Sequence, residues 1–167
     1  MSSNPYRRTE RKDIVATPRC FYDDLNRHFH FDFDPAPIDP AFDGLDPSVE
    51  WGDSNFINPP YSDIESWMRR AVASGKQCLF LVPVRTNALY WRKHVYKHVS
   101  ALYLLAGSLQ FVGYNRGWAT PLVLVLLNAR ERPPWITEAG GIPLVQLDVA
   151  ANPVAFENEA HFGTDAK

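Results

Sequence analysis

The sequence predicts an α/β domain: helices sandwiching a mostly parallel sheet, with an antiparallel strand near the C-terminal end. Two observations predict it. Strand-like apolar runs alternate with segments of helical period from Thr17 to Asn128, the pattern of helices laid over a largely parallel sheet. Further on, the apolar runs Leu109 to Val112 and Leu122 to Leu127 are joined by the polar loop Gly113 to Thr120. That loop is too short for a crossover helix, so the two runs are expected to pair antiparallel. A chain of 167 residues, 46% hydrophobic and 22% charged, suits one such domain and leaves no room for a separate recognition domain.

Residues 1–16 carry Arg7, Arg8, Arg11 and Lys12 with little hydrophobic periodicity, and read as a flexible basic arm before a domain spanning 17–148. Thr17 reads as a helix N-cap and Pro18 as its first-turn proline, with Phe21, Tyr22, Leu25 and Phe29 at helical spacing, so a helix is expected over about 18–29. Phe31 to Asp34 alternates apolar and acidic residues like a short strand. Pro35, Pro37 and Pro40 then forbid a helix, leaving 35–53 as loop. Ser54 to Ile57 reads as a buried strand stopped by Asn58-Pro59-Pro60-Tyr61, because neither proline can donate to a ladder.

Ser62 and Glu65 have the spacing of a capping box, and Ile64, Trp67, Met68, Ala71 and Val72 share one helical face up to Gly75. Cys78 to Val84 reads as a strand, Thr86 to His98 as a helix, and Ala101 to Ala106 and Pro121 to Asn128 as strands. Residues 149–167 have weak patterning and read as a tail.

Charge is unevenly placed. Between Phe31 and Ser66 there are nine acids and no Lys or Arg, whereas Trp67 to Arg132 holds ten basic residues against Glu131 alone. The second half therefore suits a polyanion. No apolar run approaches the roughly 20 residues needed to span a bilayer. Cys20 and Cys78 stand alone, and the polar N-terminus has no signal-peptide core, so an intracellular, cytoplasmic protein is expected. His94 and His98 are four apart on an expected helix, but no third ligand is in view and no metal is expected.

Asn58-Pro59-Pro60-Tyr61 carries the chemistry. At ordinary residue frequencies an Asn-Pro-Pro-aromatic tetrad arises by chance in roughly one chain of this length per thousand. The exocyclic amine of a nucleobase is a poor nucleophile, because its lone pair is delocalised into the ring. Two acceptors aimed at its N–H bonds favour a localised lone pair and stabilise the charge that develops as it attacks. Asn58 offers a side-chain oxygen, Pro59 a carbonyl aimed by a rigid turn, and Tyr61 a flat face for a base taken out of its stack. The loop holding Phe111, Tyr114, Arg116 and Trp118 mixes rings and positive charge in a way suited to single strands or flipped nucleotides.

With this tetrad stand, in order, Thr17-Pro18 before an aromatic helix, Phe31-Asp32-Phe33-Asp34-Pro35-Ala36, Gly44-Leu45, Trp51-Gly52, Phe56-Ile57, Trp67 with Ala71, Leu81-Val82-Pro83 with Thr86, and Leu105 to Phe111. Over about residues 17–128 the chain resembles the phage-type DNA N6-adenine methyltransferases. The resemblance implies a Rossmann-like class I methyltransferase sandwich, S-adenosylmethionine as cofactor, DNA as partner, and a phage or prophage gene in a bacterial host. It implies that Asn58, Pro59, Pro60 and Tyr61 form the catalytic turn, and that Thr17, Pro18, Asp34 and Asn58 bind the cofactor, Asp34 through the ribose hydroxyls. Tyr61 and Phe111 would wall the flipped base, with Arg85 and Arg116 as further DNA contacts. Two departures accompany it. The chain has no G-x-G signature, and Ser108 stands where the family usually carries a basic residue. A methyltransferase of an RNA base or protein glutamine, and an inactive nucleic-acid-binding module, remain the alternative readings; oligomeric state and target sequence stay open.

Overall fold

The computed structural model of the protein describes residues 14–147. Of the expected arm, 1–13 lie outside the described residues, as does the whole expected tail 149–167. The elements are α1 (Arg19–Phe29), β1 (Ser54–Ile57), α2 (Ile64–Ser74), β2 (Gln77–Pro83), a π-helical stretch Trp91–Val95 running into the single turn α3 (Tyr96–His98), β3 (Val99–Leu105), β4 (Leu122–Leu127), β5 (Glu138–Ala139) and β6 (Ile142–Leu147). No helix among the described residues is long and apolar enough to cross a membrane.

The six strands form one curled, half-barrel-like mixed sheet in the order β1-β2-β4-β3-β6-β5. This corrects the expected Rossmann-like, mostly parallel sandwich. Among neighbouring strands β1 and β2 alone pair parallel, and the other four pairs are antiparallel. Helix is sparse among the described residues: two helices of 11 residues each, the five-residue π-helical stretch and one further turn. The physical reasons lie in two segments. No strand forms at Leu109 to Val112; Leu109 and Phe111 instead bury their side chains from within a loop. The chain then returns as β4, which wedges between β2 and β3 antiparallel to both, rather than pairing with 109–112. Beyond it, Gly140 and Gly141, at φ 55° and 74°, turn the β5–β6 hairpin and extend the antiparallel half.

Each face of the sheet is buried by a different helix. Along β2, Leu79 and Leu81 join Phe21, Leu25 and Phe29 of α1 in one core, while Cys78, Phe80 and Val82 join Trp67, Met68 and Ala71 of α2 in the other. β4 divides in the same way, Leu122, Leu124 and Leu126 against Val123, Val125 and Leu127. Two-residue periodicity thus gives both faces apolar contacts, each fully buried side chain contributing roughly 1.5–3 kcal/mol. Burial also shuts off the Cys78 thiol, whose pKa desolvation pushes up to about 12.

Helix ends depart from the sequence reading. Pro18 is the N-cap of α1 and makes no side-chain cap bond, so Thr17 is free for another use. Asp63 occupies the N-cap position of α2 without a side-chain cap bond, and the expected Ser62–Glu65 box does not form; Glu65 instead pairs with Lys93 at 3.0 Å. The loop before β1 is nevertheless fixed. Arg70 of α2 lies over the Trp51 ring and donates to the carbonyls of Asp46 and Val49, while the Trp51 indole N–H donates to the Gly44 carbonyl at 2.9 Å.

Gly44 is there because nothing larger fits: a Cβ would lie 1.9 Å from the Pro35 carbonyl oxygen and 2.7 Å from the Trp67 ring. Gly44→Ala is expected to cost about 2 kcal/mol or more and to lower Tm by at least about 4 °C. A melt followed by circular dichroism checks this, and an unshifted Tm would contradict the packing of the loop.

Two extended segments place the site. Phe33 bridges Asn55 in parallel, with Asp32 N–H donating to the Ser54 carbonyl at 2.9 Å and Phe56 N–H to the Phe33 carbonyl at 3.2 Å. The segment ending in Asp34 and β1, which ends before Asn58, therefore run side by side in one direction. Both residues emerge at the same edge.

Candidate functional site

Asn58 is buried, with 8% of its surface exposed. Its amide nitrogen donates to the Val15 carbonyl at 2.7 Å and to the Thr17 hydroxyl at 3.1 Å. A backbone carbonyl can only accept, so Val15 decides which end of the amide faces it. The Asn58 oxygen is left buried without a partner. Such an orphaned acceptor costs about 1–3 kcal/mol. Tyr61 adds another orphan: its hydroxyl is buried and unpartnered, and desolvation raises its pKa. Pro59 is buried and Pro60 half-buried, with the Pro60 carbonyl engaged by Asp63 N–H at 3.1 Å.

Asn58, Thr17 and Asp34 line one cleft of about 240 Å³, shared with Val15, Tyr22 and Phe56. Asp34 is half-buried, and its carboxylate accepts the Ala36 N–H at 2.9 Å. Desolvation pushes its pKa up to about 6, the Ala36 hydrogen bond opposing. Ala36 also lines a neighbouring cavity of about 280 Å³, bounded by Pro35, Pro40, Phe42, Pro60 and Trp67. A polar cleft thus adjoins an apolar one, across a single small residue.

An aromatic row packs against Tyr61. Tyr61 meets Trp118 edge-on at 6.2 Å between centroids, and Trp118 meets Phe111 edge-on at 5.3 Å. Phe111 is 1% exposed and belongs to the core beneath α1. Trp118 thus touches both Phe111 and Tyr61, and its indole nitrogen is also buried without a partner. Three orphaned side-chain polar atoms, on Asn58, Tyr61 and Trp118, belong to the turn and the aromatic row packed on it. Arg85, just past β2, and Arg116, in the loop between β3 and β4, are both exposed, and Pro18 is half-buried at the start of α1.

Thr17, Asp34 and Asn58 are thus brought together in one cleft, with Tyr61 on the turn that follows. Sequence reasoning missed Val15, which lies in the segment read as arm yet is buried and orients Asn58. It acts through its backbone, so no side-chain pattern could have revealed it. His94 and His98 gain no third ligand: among the described residues no group of three His, Cys, Asp or Glu could hold a metal ion.

No family model, curated protein or solved structure matches the chain.

Proposed function

We propose that the protein is an S-adenosylmethionine-dependent methyltransferase acting on N6 of adenine in DNA. The observation that carries this reading is the Asn58 oxygen, an acceptor fixed in direction by the Val15 carbonyl, buried, and unpartnered at the rim of the Asp34 cleft. An amine N–H is the partner it lacks. The ordered motifs over 17–128 support the same chemistry. The reading needs no particular sheet class, because it uses only the neighbouring ends of β1 and the Phe33 segment.

The residues fit the cofactor. Asp34 is an acceptor for ribose hydroxyls, Thr17 and the start of α1 suit the methionine end, and the proline-lined cavity beyond Ala36 suits a flat purine. When bound, the cofactor supplies an electrophilic methyl group: the new C–N bond forms as the C–S bond breaks, and the amine proton leaves to water. The protein's part is positioning and electrostatics. Asn58 accepts one amine N–H and draws the lone pair out of the ring, Tyr61 supports the base, and the buried surroundings strengthen both effects. The exposed Arg85 and Arg116 hold the phosphate backbone.

Incubation with methyl-labelled S-adenosylmethionine and separate DNA, RNA and protein acceptors tests the substrate class. Label is expected in DNA. Label in RNA or protein alone, or in no acceptor, would overturn the assignment.

A further inference from the structure

We propose that Trp118, rather than Phe111, is the second wall of the base pocket, and that its indole N–H reads a ring nitrogen beside the target amine. This rests on the methyltransferase reading and names the residue that recognises the base.

Phe111 is 1% exposed, which argues against direct contact with a base, and the Trp118 ring touches both it and Tyr61. Trp118 is only half-buried, so a base lying against Tyr61 would meet its ring rather than that of Phe111. The carrying loop is built to hold that ring in place. The Trp118 backbone N–H donates to the Leu109 carbonyl at 2.8 Å, and Gly117 approaches Ser108 so closely that a Cβ would lie 2.5 Å from the Ser108 Cβ. Val112 N–H donates to the Ala16 carbonyl at 3.0 Å. Ala16 lies between Val15 and Thr17, the two residues that hold Asn58, so one short segment sets both the loop and the catalytic amide.

The unpartnered atoms define what fits. Asn58 offers an acceptor only, and Trp118 offers a donor only. Adenine presents the complement, an amine flanked by the acceptors N1 and N7. A base with a keto oxygen in place of the amine would set an acceptor against the Asn58 oxygen. A buried donor and a buried acceptor are each costly when unpaired, so a base that satisfies both is favoured over one that satisfies neither. The stacking surface of Trp118 adds affinity for any base, and its N–H adds selection.

The test uses the full chain with mixed-sequence DNA in which adenine is native, 7-deazaadenine or 1-deazaadenine. Trp118→Ala is expected to raise the KM for native DNA at least about tenfold. Trp118→Phe, which keeps a stacking ring and loses the N–H, is expected to lose about fivefold in kcat/KM while its Tm stays near wild type. For one of the two deaza substrates, wild type and Trp118→Phe should become equal, identifying the ring nitrogen read. Trp118→Ala matching wild type, or Trp118→Phe keeping the same relative loss on both deaza substrates, would overturn the assignment and leave the methyltransferase reading standing. Wild type transferring no methyl to any DNA would sink the reading itself.

Discussion

Asn58→Ala is expected to lower kcat for methyl transfer at least about tenfold while shifting Tm by no more than a few degrees. The two effects separate because the side chain has two ends. Losing the amide nitrogen strands the Val15 carbonyl and breaks the bond to Thr17, but the same substitution removes the orphaned oxygen, and these roughly 1 kcal/mol terms largely offset. Losing the oxygen removes the acceptor that stabilises charge developing on the amine, a contribution of a few kcal/mol in comparable sites. Thr17→Val, which deletes the 3.1 Å bond alone, should reduce kcat by less. Steady-state turnover with a parallel melt checks both, and unchanged turnover of Asn58→Ala would remove it from the mechanism.

Asp34→Asn is expected to make the ligand-free protein more stable and the cofactor bind more weakly. The folded pKa of Asp34 is raised from 3.8 to about 6, so the fold disfavours its charged form. That penalty is absent at low pH, where the carboxyl is protonated folded and unfolded alike. It grows as pH rises from about 4 to about 6 and is then constant at about 2–3 kcal/mol. The amide isostere keeps the hydrogen bond from Ala36 without the charge. Stabilisation by Asp34→Asn should therefore appear at pH 7.5 and vanish near pH 4. Cofactor affinity should fall at least about tenfold in the variant, and in wild type it should weaken as pH drops through about 6, because a neutral carboxyl accepts more feebly from ribose hydroxyls. Titration calorimetry across pH 5–8 measures this. Equal affinity of the two proteins would reduce Asp34 to a turn residue holding Ala36.

What could be read from the sequence follows what each residue does. Phe21, Leu25 and Phe29, like Ile64, Trp67, Met68 and Ala71, act through side-chain burial, and their spacing gave α1 and α2 nearly to their ends. β1 was bounded because Pro59 stops a ladder. Strand direction has no such signature. Alternating runs do not say which neighbour a strand will take: β4, expected to pair antiparallel with 109–112, went between β2 and β3 and lies antiparallel to both. Leu109 and Phe111 alternate like strand residues because loops also anchor themselves by every second side chain. Thr17 carries a hydroxyl equally fit to cap a helix or to hold Asn58, and the fold chose the second. Val15 reaches Asn58 across 43 positions through a carbonyl that every residue owns. The chemistry proposed for the Asn58-Pro59-Pro60-Tyr61 turn could be read from sequence because it rests on particular side chains; the parts that hold Asn58 in place include backbone, and sequence is nearly silent about those.

The most direct measurement is mass-spectrometric nucleoside analysis of DNA after incubation with wild-type protein and S-adenosylmethionine, with Asn58→Ala alongside. The account predicts N6-methyl-2′-deoxyadenosine from wild type and at least about tenfold less from the variant. A methyl group found on a pyrimidine or on a ring atom of adenine, or equal yields from the two proteins, would contradict it.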